Sequence, residues 1–115
     1  MFLEAALPLV RECRPVHAGV ALGALGVMEA EAGRFPEALE LLHEGEAVLR
    51  AASWRLQLAR VVAKRARVCG MQGRYEEGRV ALAEARDLEE ELGKIDGILR
   101  RRIEEARLQL EGSGS

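Results

Sequence analysis

The sequence predicts an all-α protein built from antiparallel helical hairpins, and three observations predict it. Nearly half the residues are apolar (49%) but only 3% are aromatic, with no Asn, no Thr and three Pro. Formers of strands and turns are therefore scarce, while the strong helix formers Ala, Leu, Glu and Arg abound. Breaks in apolar periodicity fall at Arg14-Pro15, Gly33, Ser53, Gly73 and Gly93, residues that punctuate helices. Finally, "GRFPEALELL" at 33–42 returns as "GRYEEGRVAL" at 73–82, so that Gly33, Arg34, Phe35, Glu37 and Leu42 answer to Gly73, Arg74, Tyr75, Glu77 and Leu82. At 115 residues the chain suits one domain, residues 1–111, with a modest core.

Six helical stretches are expected, near 2–13, 16–32, 35–51, 54–72, 75–92 and 95–111. The first carries Phe2, Leu3, Ala6, Leu7, Leu9, Val10 and Cys13 around most of its circumference, with Pro8 as a bend. The second spaces Val20, Ala24, Val27 and Met28 helically. The third does so with Ala38, Leu41, Leu42, Val48 and Leu49, and the fourth with Leu58, Val61, Val62, Ala66, Val68 and Cys69. Leu82, Ala85 and Leu88 mark the fifth; Ile95, Ile98, Leu99, Ile103, Ala106 and Leu110 mark the last. Short connections make successive helices antiparallel. The "GSGS" end, residues 112–115, reads as a flexible tail outside the fold.

In the doubled motif a Gly closes one helix, an aromatic staples the next, and a small residue three positions on lets helices approach. With Leu25-Gly26 upstream of Gly33, Phe35 and Ala38, the pattern resembles the tetratricopeptide repeat. A second copy matches at Ala66, Gly73, Tyr75, Leu82 and Ala85, with Gly78 as the small packing residue; Phe2 and Ala5 match only a second helix. Departures are Arg65 at a usual Leu, Arg50 and Glu90 at the closing Pro, and no Trp in its place. Intervals between the aromatics are 33 and 40 residues, against about 34 in the typical repeat; the longer one resembles variants in large bacterial signalling proteins. The resemblance implies a right-handed α-solenoid: a partial repeat at 2–13, repeats at about 16–51 and 54–92, and a capping helix at 95–111. It implies a non-enzymatic scaffold that binds protein or peptide, and the chain would suit a piece of a larger regulatory protein.

Composition and motifs exclude other classes. Seventeen basic and 19 acidic residues give a net charge of −2, unlike the basic excess of a nucleic-acid module; only Arg100-Arg101-Arg102 gestures at a recognition helix. Cys13 and Cys69 are isolated and fit buried thiols of a cytoplasmic protein. The start lacks signal-peptide features, and no apolar run approaches the ~20 residues of a membrane span. His17 and His43 sit far apart with no ligand spacing, so no metal is expected. Gly19, Gly23 and Gly26 lie in a helical pattern with no following Lys-Ser or Lys-Thr, and read as packing glycines, not a phosphate loop. No catalytic constellation emerges, and neither enzyme activity nor a cofactor is expected.

Two surfaces stand out. The family's first helices line its ligand-binding concave face, which here implies Val20, Gly23, Ala24, Val27 and Ala30 from the first copy. The second copy offers Arg60, Lys64 and Arg67 at i, i+4 and i+7, with Met71 beyond. An apolar floor beside a basic wall would suit an acidic or carboxylate-ended segment; the alternative is a solvated face neutralised by Glu84 or Glu90. The first helix, through Phe2, Leu3, Leu7 and Val10, is the expected surface for self-association, most simply as a homodimer. A self-associating assembly protein is thus the alternative to a scaffold.

Overall fold

In the computed structural model, which describes residues 2–111 and the side chains from Glu4 onward, every regular element is a helix. The six are α1 (Phe2–Arg11), α2 (Pro15–Glu31), α3 (Phe35–Ala51), α4 (Arg55–Met71), α5 (Tyr75–Leu92) and α6 (Gly97–Glu111). The expected tail at 112–115 lies outside the described residues.

Three of the connecting turns are built alike. Arg34 N–H donates to the Glu29 carbonyl at 2.9 Å, Trp54 N–H to Leu49 at 2.9 Å and Arg74 N–H to Cys69 at 2.8 Å. Each is the long bond of a helix-ending left-handed turn. The residue before each donor has positive φ: 83° at Gly33, 81° at Gly73, and 61° at Ser53, where no glycine relieves the Cβ. The N-caps Arg14, Arg34, Trp54 and Arg74 make no side-chain capping bond. Helices α2 to α5 therefore owe their stability chiefly to packing.

Helix α6 differs. The Asp96 carboxylate accepts the Leu99 N–H at 2.8 Å, a true N-cap. It delays the helix to Gly97, two residues beyond the expected start. Ile95, expected on its apolar face, instead lies in the connection, 82% exposed.

Helix α4 packs between α2 and α6 in one row, and α3 and α5, which have no backbone contact with each other among the described residues, pack against that row. Helix α2 pairs with α3 and α4 with α5 as hairpins, and α4 also touches α3. The α2–α3 hairpin is tight because small residues face each other. A Cβ on Gly45 would stand 2.9 Å from the Gly19 carbonyl oxygen, and one on Gly26 would stand 3.0 Å from that of Ala38. One continuous core runs from Ala30, Ala38 and Leu42 through Val61, Val62 and Val68 to Leu99 and Leu110. A smaller cluster of Leu22, Leu25 and Leu41 receives Leu7 and Val10 of α1.

Ion pairs stitch the hairpins together. Arg65 on α4 reaches Glu46 on α3 at 2.6 Å and Glu84 on α5 at 3.3 Å, and Arg50 reaches the same Glu84 at 3.1 Å. Arg65 is thereby accommodated where an apolar residue was the expected pattern, because Glu46 is buried opposite it.

Candidate cationic cleft

The exposed side of the α2–α4–α6 row holds a cleft of about 180 Å³ lined by Ala24, Val27, Lys64, Arg67, Arg102 and Glu105. Each helix contributes two residues three apart, one helical turn on one face. From α2 to α4 the interval is 40 residues, Ala24 to Lys64 and Val27 to Arg67; from α4 to α6 it is 38, to Arg102 and Glu105. Alanine and valine leave a shallow apolar floor, and the longer side chains of α4 and α6 wall it.

The charges do not balance. Three cations face one carboxylate, Glu105, whose Oε1 accepts from Arg102 Nη1 at 3.0 Å. The Arg102 Nε is buried with no hydrogen-bond partner among the described residues. Neither Lys64 nor Arg67 makes an ion pair among them. Burial first, then the charges of Arg102 and Arg60, push the Lys64 ammonium below its ordinary range, with Glu105 pulling partly the other way.

Of the residues expected on this face, Ala24, Val27, Lys64 and Arg67 come together in the cleft. Arg60 lies beside it but is held by Asp96, with Nε at 3.0 Å and Nη2 at 2.6 Å. The Arg60 guanidinium, helped by the Leu99 N–H, holds the Asp96 carboxyl below its usual value. Met71 is half-buried against the main core, and Val20 is exposed on α2 without lining the cleft. Gly23 and Ala30 are corrections: both are buried, Gly23 against Val61 of α4 and Ala30 in the core. They lie on the side of α2 that packs inward, where small side chains let helices close.

The sequence reading did not place Arg102 and Glu105 on this face, because the last interval is 38 residues, so that a strict 40-residue register from Lys64 and Arg67 lands on Glu104 and Arg107. Asp96 itself was legible as a cap, an acid ahead of an apolar-periodic run; its reach to Arg60, 36 residues away, was not. Glu84, one of the carboxylates expected to neutralise the stripe, is engaged with Arg50 and Arg65 instead.

On α1, Leu7 and Val10 are half-buried on α2 and α3, leaving Leu9 68% exposed. The side chains of Phe2 and Leu3 lie outside the described residues. Cys13 is exposed and Cys69 buried; burial pushes the Cys69 thiol up, the reverse of an activated thiolate. Among the described residues no group of three or more His, Cys, Asp or Glu is placed to hold a metal ion, and no helix is long and apolar enough to cross a membrane.

A larger hollow of about 730 Å³ opens between the end of α5 and the start of α6. It presents Arg86, Lys94 and Arg100 against Glu89, Glu90 and Glu104, and Arg100 already pairs with Glu89 at 3.0 Å. Its signs cancel, whereas those of the smaller cleft do not. Comparison of the chain with protein-family models, curated proteins and solved structures finds no match.

Proposed function

We propose that this chain is a non-enzymatic interaction module of the tetratricopeptide-like kind, which binds an acidic protein segment across α2, α4 and α6. One observation carries the reading: Lys64, Arg67 and Arg102 converge on a half-enclosed apolar floor with a single carboxylate among them. Burying like charges together costs stability, and such a cost is characteristic of a site shaped for a ligand. The floor accepts small apolar side chains and the wall accepts carboxylates, the combination a peptide supplies. Repeated helix packing, with equivalent positions on successive helices, makes the face extensible along a bound segment.

Self-association through α1 is less supported, because Leu7 and Val10 are engaged by the chain's own α2 and α3. A nucleic-acid role is less supported too, because Arg102 of the Arg100–Arg102 run pairs with Glu105 and Arg100 with Glu89.

The test is fluorescence anisotropy with a fluorescein-labelled hexaglutamate probe. The Lys64→Glu/Arg67→Glu variant, shown folded by circular dichroism, is expected to bind at least about tenfold more weakly, with a flatter salt dependence. Equal affinity in that variant would remove the cleft from the reading.

A further inference from the structure

The carboxylate of Glu105 lies in the cleft where a ligand carboxylate would lie. It comes from the same helix as Arg102 and holds that guanidinium through Nη1 at 3.0 Å, leaving Nε buried and unpartnered. Both members of the pair are only about one-third exposed, 33% and 38%, yet they are a single i,i+3 contact, a weak class of interaction that is easily exchanged. Among the described residues no other acid lines the cleft. The neighbouring Glu104, one residue earlier, points to another face and pairs with Arg107.

We infer that Glu105 is a built-in competitor for the acidic ligand, an internal carboxylate that occupies the cation cluster until a ligand carboxylate displaces it. The inference rests on the proposed peptide-binding role of the cleft. With Glu105 in place, one of three positive charges is already answered, so an isolated carboxylate on a ligand gains little over the resident one. A segment with neighbouring carboxylates gains more, because it answers Lys64 and Arg67 as well and offers a second acceptor toward the Arg102 Nε. Glu105 thereby sets a threshold: it rejects singly charged groups and admits acidic runs. Displacement requires only rotation of one side chain at the rim.

The experiment compares the parent chain with Glu105→Gln and Glu104→Gln, which remove the same charge inside and outside the cleft. Anisotropy is measured with labelled hexaglutamate and with a labelled hexapeptide carrying one Glu among Ala residues. Glu105→Gln is expected to tighten both probes by about 3- to 10-fold at low salt, and the singly charged probe more. Glu104→Gln is expected to change either by less than about twofold. The Arg102 Nε–H resonance should shift on adding hexaglutamate to the parent. Unchanged affinity in Glu105→Gln overturns the inference, as does equal tightening in Glu104→Gln, which would reveal a net-charge effect. Neither result touches the cleft itself if Lys64→Glu/Arg67→Glu still weakens binding by about tenfold or more. Failure of every variant to bind either probe overturns both proposals.

Discussion

Lys64 works against the stability of the fold that carries it. Its stem packs usefully along the α2–α4–α6 row, but its charge is partly desolvated beside Arg102 and Arg60. Replacing it by Met keeps the stem and removes the charge. Lys64→Met is therefore expected to raise stability by about 0.5–1 kcal/mol in urea unfolding while weakening hexaglutamate binding. The sign of the pH dependence follows from the lowered value. Between the folded lysine's pKa and the unfolded one at about 10.4, the unfolded chain binds more protons, so the Lys64 contribution to stability rises with pH in that alkaline window. Urea midpoints from pH 7 to 10.5 should show the parent gaining on Lys64→Met as pH increases; the opposite drift would show that the ammonium is not penalised. Ser53 poses a separate local conflict. It holds the left-handed conformation at φ 61° that Gly33 and Gly73 hold elsewhere. Ser53→Gly removes a Cβ strain but adds freedom to the unfolded chain, and a net gain of about 0.5 kcal/mol is expected in thermal unfolding.

The two hairpins solve one packing problem with the same two residues exchanged. In α2–α3 the close contact sets Gly26 against Ala38; in α4–α5, forty residues on, it sets Ala66 against Gly78. A Cβ on Gly26 would meet the Leu42 side chain at 2.8 Å and the Ala38 carbonyl at 3.0 Å, and one on Gly78 the Leu110 side chain at 2.6 Å and the Ala66 carbonyl at 3.1 Å. Gly26→Ala is expected to cost about 1–3 kcal/mol by overpacking. Adding Ala38→Gly, which reproduces the arrangement of the second hairpin, should recover part of that loss despite the lower helix propensity of glycine. Chemical denaturation of the two variants checks this, and a further loss in the double variant would refute the equivalence. This exchange also shows why the fold was legible: Gly33 and Gly73 with Phe35 and Tyr75 repeat in the sequence because turns and staples are local. The cleft was legible only in part. Ala24, Val27, Lys64 and Arg67 follow the repeat, whereas Arg102 and Glu105 follow a 38-residue interval that the repeat does not give, and the Arg60–Asp96 pair depends on tertiary approach. On α1, apolar periodicity all round the helix does not say which side meets α2; the fold turns Leu7 and Val10 toward it.

Helix α4 is the keystone of the stack, in contact with α2, α3, α5 and α6, while among the described residues α1 has a backbone neighbour only in α2. The main core crosses both hairpins without a gap, so they are expected to unfold together, with α1 outside that unit. Arg65 and Glu46 couple the hairpins further: their side chains are only 15% and 6% exposed, and Glu84 is the second acceptor for the same guanidinium. Removing Glu46 alone leaves Arg65 buried with its weaker partner, so Glu46→Ala is expected to cost about 2–4 kcal/mol. Converting both positions, Glu46→Leu with Arg65→Leu, removes the unpaired charge and should restore most of the loss, since well-packed apolar pairs replace buried ion pairs at little cost. Hydrogen exchange monitored by NMR separates this coupling from a local effect. In the parent, α1 amides should exchange earliest and α4 amides slowest, the latter opening only with global unfolding. If Glu46 and Arg65 join the hairpins, Glu46→Ala should lower protection in α2–α3 and α4–α5 alike and bring the α4 amides down with them. Loss confined to α3 would mean that the ion pair merely anchors one helix, and that the continuous apolar core alone makes the two hairpins one cooperative body.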